Sequence, residues 1–109
     1  MKIADIQQQG GFVSSELVHR TATWNTQDGQ ELSVEFFVRR APFGAIDRVV
    51  SQLDKSQSAG IISECIRLGD EGEETLTYEQ AYALDSRLAA IFAEAVTEVN
   101  RLDEEVPKG

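Results

Sequence analysis

The sequence predicts an α+β fold: an N-terminal antiparallel β-hairpin, a short amphipathic helix, a further strand or short helix, and a long C-terminal amphipathic helix. Three observations carry that expectation. Residues 32–40 alternate apolar and polar with a period of two, an Asp28-Gly29 pair lies just upstream, and apolar residues recur by three and four towards the C-terminus.

The hairpin comes first. Residues 12–24, rich in Val, Thr and aromatics, are predicted as its first strand, and in the second Leu32, Val34, Phe36 and Val38 alternate with Ser33, Glu35, Phe37 and Arg39. Residues 25–30 join the two through Asp28-Gly29, a pair that supplies the positive-φ positions of a hairpin turn. Pro42 cannot donate to a ladder but suits the first turn of a helix, so a helix is predicted from there to about Leu53. Phe43, Ile46, Val49, Val50 and Leu53 then share one face, with Asp47 in the first turn. Residues 54–60 are small and polar and read as a loop. Residues 61–68 are ambiguous between helix and strand; their β-branched content and Gly-rich exit favour a strand, with residues 75–77 as its candidate pairing partner.

Thr77 and Gln80 have the spacing of a capping box, from which one long helix is predicted. Ala81, Leu84, Leu88, Ile91, Ala95, Val99 and Leu102 form one apolar stripe, and Tyr82, Ala89, Phe92 and Val96 form a second beside it. The combined face is wider than a two- or three-stranded sheet covers, which leaves part of it for another helix or another subunit. Three regions are expected: a flexible N-terminus over residues 1–11, a single α+β domain over residues 12–102, and a flexible acidic tail over residues 103–109.

A chain of 109 residues can bury one core without disulfides or a metal. Nineteen acids against ten Lys and Arg give a net charge of -9, which repels phosphate backbones and anionic lipid, so neither nucleic acid nor membrane is an expected partner. The single Cys65 cannot form an internal disulfide and fits a reducing cytoplasm. Residues 1–11 contain no apolar run of the kind a signal peptide or membrane span requires.

Catalytic signatures are missing: there is no Gly-rich phosphate loop, no Ser or Cys nucleophile motif and no pair of catalytic carboxylates. His19 is in phase with Leu17, Thr21 and Thr23 and reads as a residue of the solvated sheet face; Cys65 reads as a small buried apolar residue. Asp70, Glu71, Glu73 and Glu74 lack the ligand alternation and closing glutamate of a calcium loop and read as a solvated turn. No catalytic residue, cofactor or metal is expected, and the chain is predicted to work by holding other proteins.

Trp24 shares the Val18 and Ala22 face and is expected in the core, while Phe37 points away from Phe36 and is divided between core and interface. The residues expected to touch another protein are Phe37, Tyr82, Ala89, Phe92, Val96 and Val99, with plain core or self-association as the competing role of the helical ones. The alternative is an acidic regulatory or inhibitor protein of the DNA-mimic type that binds a basic partner. It requires acids on one continuous surface, and many of these sit in a turn and a tail.

In order, the chain runs through Val38-Arg39-Arg40, Phe43-Gly44, Ser58-Ala59, Ile61-Ile62 and Cys65-Ile66-Arg67-Leu68. It continues through Leu76-Thr77-Tyr78-Glu79-Gln80-Ala81-Tyr82-Ala83-Leu84 and ends on Ala95-Val96-Thr97-Glu98-Val99-Asn100. This pattern resembles the tail assembly chaperones of long-tailed bacteriophages over residues 13–102, its most specific piece being Leu76 to Ala81. The resemblance implies a non-virion protein of the infected bacterial cytoplasm. Such a protein coats the long helical tape measure protein, keeps it soluble, brings tail tube protein to it and leaves as the tube polymerises. No catalytic residue is carried over.

Overall fold

The computed structural model describes residues 1–100, so Leu102 and the expected tail over residues 103–109 lie outside the described residues. The elements in order are α1 (Ile3–Gln8), β1 (Leu17–Asn25), β2 (Glu31–Arg39), α2 (Phe43–Val50), α3 (Gln57–Cys65), β3 (Ile66–Leu68), β4 (Glu74–Thr75), α4 (Tyr78–Tyr82) and α5 (Ser86–Asn100). The four strands form one antiparallel sheet in the order β1-β2-β3-β4. The fold is α+β, as the sequence predicts.

The hairpin is regular, with Leu17 opposite Arg39 and Asn25 opposite Glu31 and no slip between them. Thr26 organises the turn: its N–H donates to Gln30 O at 2.8 Å, and its hydroxyl accepts from the Gln30 N–H at 3.1 Å. Only Gly29 takes positive φ there, at 87°, so Asp28 does not supply the second such position that an Asp-Gly pair suggested. The first strand starts at Leu17 rather than residue 12, and residues 1–11, expected to be flexible, contain α1, none of whose residues is buried.

Alternation gives the sheet two unlike faces. Val34, Phe36 and Val38 with Val18, Ala22, Ile66 and Leu68 look inwards at α5, where Phe36 meets Phe92 edge-on with ring centroids 4.9 Å apart. The outward face carries His19, Glu35, Phe37 and Arg67.

Three helical boundaries differ from the sequence reading. The helix after Pro42 stops at Val50, short of Leu53, and Asp47 falls beyond its first turn. Residues 54–60 are only partly loop, because α3 starts at Gln57, capped by Ser56, whose hydroxyl accepts from the Ala59 N–H at 3.1 Å. Residues 61–68 are a helix as far as Cys65 and a strand only from Ile66, since Ile62 and Cys65 face the core one turn apart before the chain extends to pair with β2.

The long C-terminal helix is two helices. The Thr77 capping box forms as expected, with Gln80 N–H donating to Thr77 Oγ1 at 3.0 Å and Thr77 N–H to Gln80 Oε1 at 2.9 Å, but α4 ends at Tyr82. Asp85 restarts the chain as α5, accepting from the Arg87 N–H at 2.8 Å. That bond, against a smaller desolvation effect and with help from the Leu88 N–H, the Arg87 cation and the nearby Trp24 indole, holds the Asp85 carboxyl below its ordinary range.

Candidate protein-binding surfaces

The inner face of α5 belongs to the core. Phe92, Ala95, Val96 and Val99 are buried against the sheet and α3, so three of the residues expected to touch a partner, Phe92, Val96 and Val99, are covered within this protomer. The sheet has four strands, more than the two or three the width of the stripe was measured against, and the separate α3 covers the rest.

Beside that buried seam runs a groove. One hollow of about 270 Å³ lies between α3 and α5, lined by Gln57, Ile61, Ala93, Val96 and Thr97. A second of about 240 Å³, lined by Ala59, Ala81, Tyr82, Leu84 and Ala89, lies between α3, α4 and the start of α5, and both hollows are lined by Ser58 and Ile62. Tyr82, Ala89 and Val96 are thereby brought to one channel, although Val96 shows it only an edge. Tyr82 is 69% exposed and stacks on Tyr78, with ring centroids 5.8 Å apart. Tyr78 in turn accepts from the Ser56 N–H at 2.9 Å and lies under the Lys55 ammonium, which ties α4 to the start of α3.

Phe37 is not part of this channel. It sits on the opposite sheet face, half-buried, with His19 5.1 Å away, ring to ring. The β3-β4 turn closes over it at Gly72, where φ is +78° and any Cβ would come within 3.2 Å of the Phe37 ring and 2.5 Å of Leu17. His19 is exposed as expected, and its Nε2 stands 3.4 Å from Glu35. Trp24 is half-buried on the inward side, its indole N–H turned towards Asp85 without closing a hydrogen bond.

The largest uncovered apolar side chains lie elsewhere. Phe43 is 82% exposed and Leu53 91%, with Val50 also exposed between them. Helix α2 docks on α3 through Ala45 and Val49, the latter seated on Gly60, where a Cβ would meet Val49 Cγ1 at 2.7 Å. At about 100° per residue, Phe43 and Val50 point some 140–160° away from Ala45, so the predicted stripe divides: Val49 faces α3, Ile46 is half-buried, and Phe43 and Val50 are exposed. The sequence showed this stripe but not that it would lack a cover.

A family model described as phage tail assembly chaperone matches residues 4–100. The chain belongs to the phage tail assembly chaperone family. No curated protein and no solved structure matches it.

The chaperone holds these surfaces in place with polar contacts that the sequence reading did not single out. Glu64, on α3, accepts from Arg39 at 3.1 Å and from Arg48 at 2.9 Å, joining β2, α3 and α2. Asn100 clamps the end of β2: its amide donates to Arg39 O at 3.2 Å, and its carbonyl accepts from the Ala41 N–H at 2.9 Å. No local pattern in the sequence marks either residue, because their partners are distant along the chain.

Cys65 is fully buried, and burial pushes its thiol up from 9.0 to about 11, away from reactivity. Among the described residues no group of three or more His, Cys, Asp or Glu is placed to hold a metal ion, and no helix is long and apolar enough to cross a membrane.

Proposed function

We propose that this chaperone binds the tape measure protein in the cytoplasm of the infected or lysogenic bacterium, shields its apolar helical stripes and helps recruit tail tube subunits, acting without catalysis and leaving before the virion is complete. The observation that carries the proposal is the apolar surface its own fold leaves uncovered, Phe43, Val50 and Leu53 on one side and Tyr82 beside the α3-α5 groove on another. A long amphipathic helix presents matching stripes, and large aromatic and aliphatic side chains at solvent-exposed positions are the usual anchors of such contacts. The net charge of -9 keeps the complex soluble while those stripes are engaged.

Co-expression tests this directly. The chaperone is expected to raise the soluble yield of the tape measure protein and to co-purify with it, while a Phe43→Asp, Leu53→Asp double variant keeps its fold by circular dichroism and loses the client. Absence of co-purification by the wild-type chain overturns the proposal.

A further inference from the structure

The free edge of the sheet carries an inference independent of the client. Strand β1 has β2 on one side and, among the described residues, no strand on the other. The turn fixes which of its backbone groups face out. Thr26 N–H bonds to Gln30 O; in an antiparallel ladder bonded and non-bonded pairs alternate, so the even-numbered residues of β1 bond to β2. Leu17, His19, Thr21, Thr23 and Asn25 therefore turn their N–H and C=O groups outwards.

Natural sheets blunt such an edge with Pro, Lys, an inward-pointing charge, a bulge or a short strand, and of these β1 has only the inward Arg20. The opposite edge, β4, obeys this with two residues. Strand β1 is nine residues long, contains neither Pro nor Lys, and keeps an unbroken register with β2. It also carries no Asp or Glu, in a chain of net charge -9.

We propose that β1 pairs antiparallel with β1 of a second copy about a two-fold axis at Thr21, joining two four-stranded sheets into one. The axis sets outward-bonding residues against each other throughout: Thr21 against Thr21, His19 against Thr23, Leu17 against Asn25. All nine residues find a partner and no like charges stand directly opposite each other, the two Arg20 side chains being diagonal neighbours. On the inward face Val18 comes opposite Trp24, and Arg20 opposite the small Ala22.

Arg20 is what selects a second copy over a foreign extended segment. Its Nε is buried without a hydrogen-bond partner, and within its own chain its guanidinium reaches Glu98 only at 3.9 Å. A hollow of about 260 Å³, lined by Arg20, Ala22, Glu94 and Glu98 among others, opens between β1 and α5. Across the two-fold axis the Arg20 of one copy lies over Ala22 of the other, towards that copy's Glu94 and Glu98, so each copy offers the other's guanidinium carboxylates in addition to its own distant Glu98.

Sedimentation of the purified chain is expected to give the mass of two chains. Thr21→Cys places two sulfurs across the axis, where paired Cα atoms lie about 5.5 Å apart, within disulfide reach. Oxidation is therefore expected to yield a linked dimer on a non-reducing gel, whereas Ser33→Cys, one strand further in, stays unlinked. Thr21→Pro removes an outward N–H and leaves the β1-β2 bonds alone, so it is expected to give a single-chain mass with the circular dichroism of the wild type. A wild-type chain that sediments as a monomer, or a Thr21→Cys chain that links no faster than Ser33→Cys, overturns the proposal even if the proline variant fails to fold. Capture of an extended segment of another protein on this edge by a monomeric chain overturns it too.

Discussion

Helices α2 and α5 are both amphipathic, and they end in opposite situations. Helix α5 lays Phe92, Ala95, Val96 and Val99 against the sheet and α3, which cover them almost completely, whereas α2 buries only Ala45 and Val49, adds the Arg48–Glu64 ion pair, and leaves Phe43 and Val50 in solvent. An apolar stripe thus states that a helix has something to cover. What covers it is decided by how far around the helix the docking contact lies, and on α2 the docked and exposed residues stand roughly 100–160° apart.

The sharpest way to break this comparison is to truncate one aromatic from each helix. Phe92→Ala empties a site packed on Phe36 and is expected to cost about 3–5 kcal/mol in urea unfolding. Equal losses at Phe92 and Phe43 would show that the two faces do not differ. Asn100→Ala is the intermediate case: it leaves the Ala41 N–H without its acceptor where α5 meets the end of β2, and a loss of about 1–3 kcal/mol is expected in the same assay. Phe43→Ala is expected to change stability by no more than about 0.5 kcal/mol, because its side chain is largely exposed, and, if the proposed client contact is made there, to weaken client co-purification.

The same contrast explains what could be read from the sequence. The hairpin was legible because a period of two and an Asp-Gly pair are local signals, but its register was not, since the turn closes with Thr26 opposite Gln30 and only Gly29 at positive φ. The break at residues 83–85 was not, because Ala81, Leu84 and Leu88 keep the helical spacing across it; the available sign was Asp85 ahead of Ser86-Arg87-Leu88, a cap in the middle of a periodic run. Residues 61–68 hid a switch from helix to strand inside one apolar segment, where periodicity alone does not discriminate. Of the expected contact residues, Tyr82 and Ala89 line the groove with an edge of Val96, Phe92 and Val99 are core, and Phe37 lies under the Gly72 turn. Sequence gave the faces of the helices. The fourth strand and α3, which decide how much of each face is covered, depend on pairings between segments far apart in the chain.

The clamp made by Asn100 on Arg39 and Ala41 bridges some sixty positions, and the helix that bears it is also the lid of the hydrophobic sheet face. Until that helix is made, Phe36, Val38 and Ile66 can lie against α3 but not against Phe92, Val96 and Val99. Closure of the core therefore waits on α5, and a chain lacking that helix would leave the apolar sheet face exposed, as incompletely folded chains do.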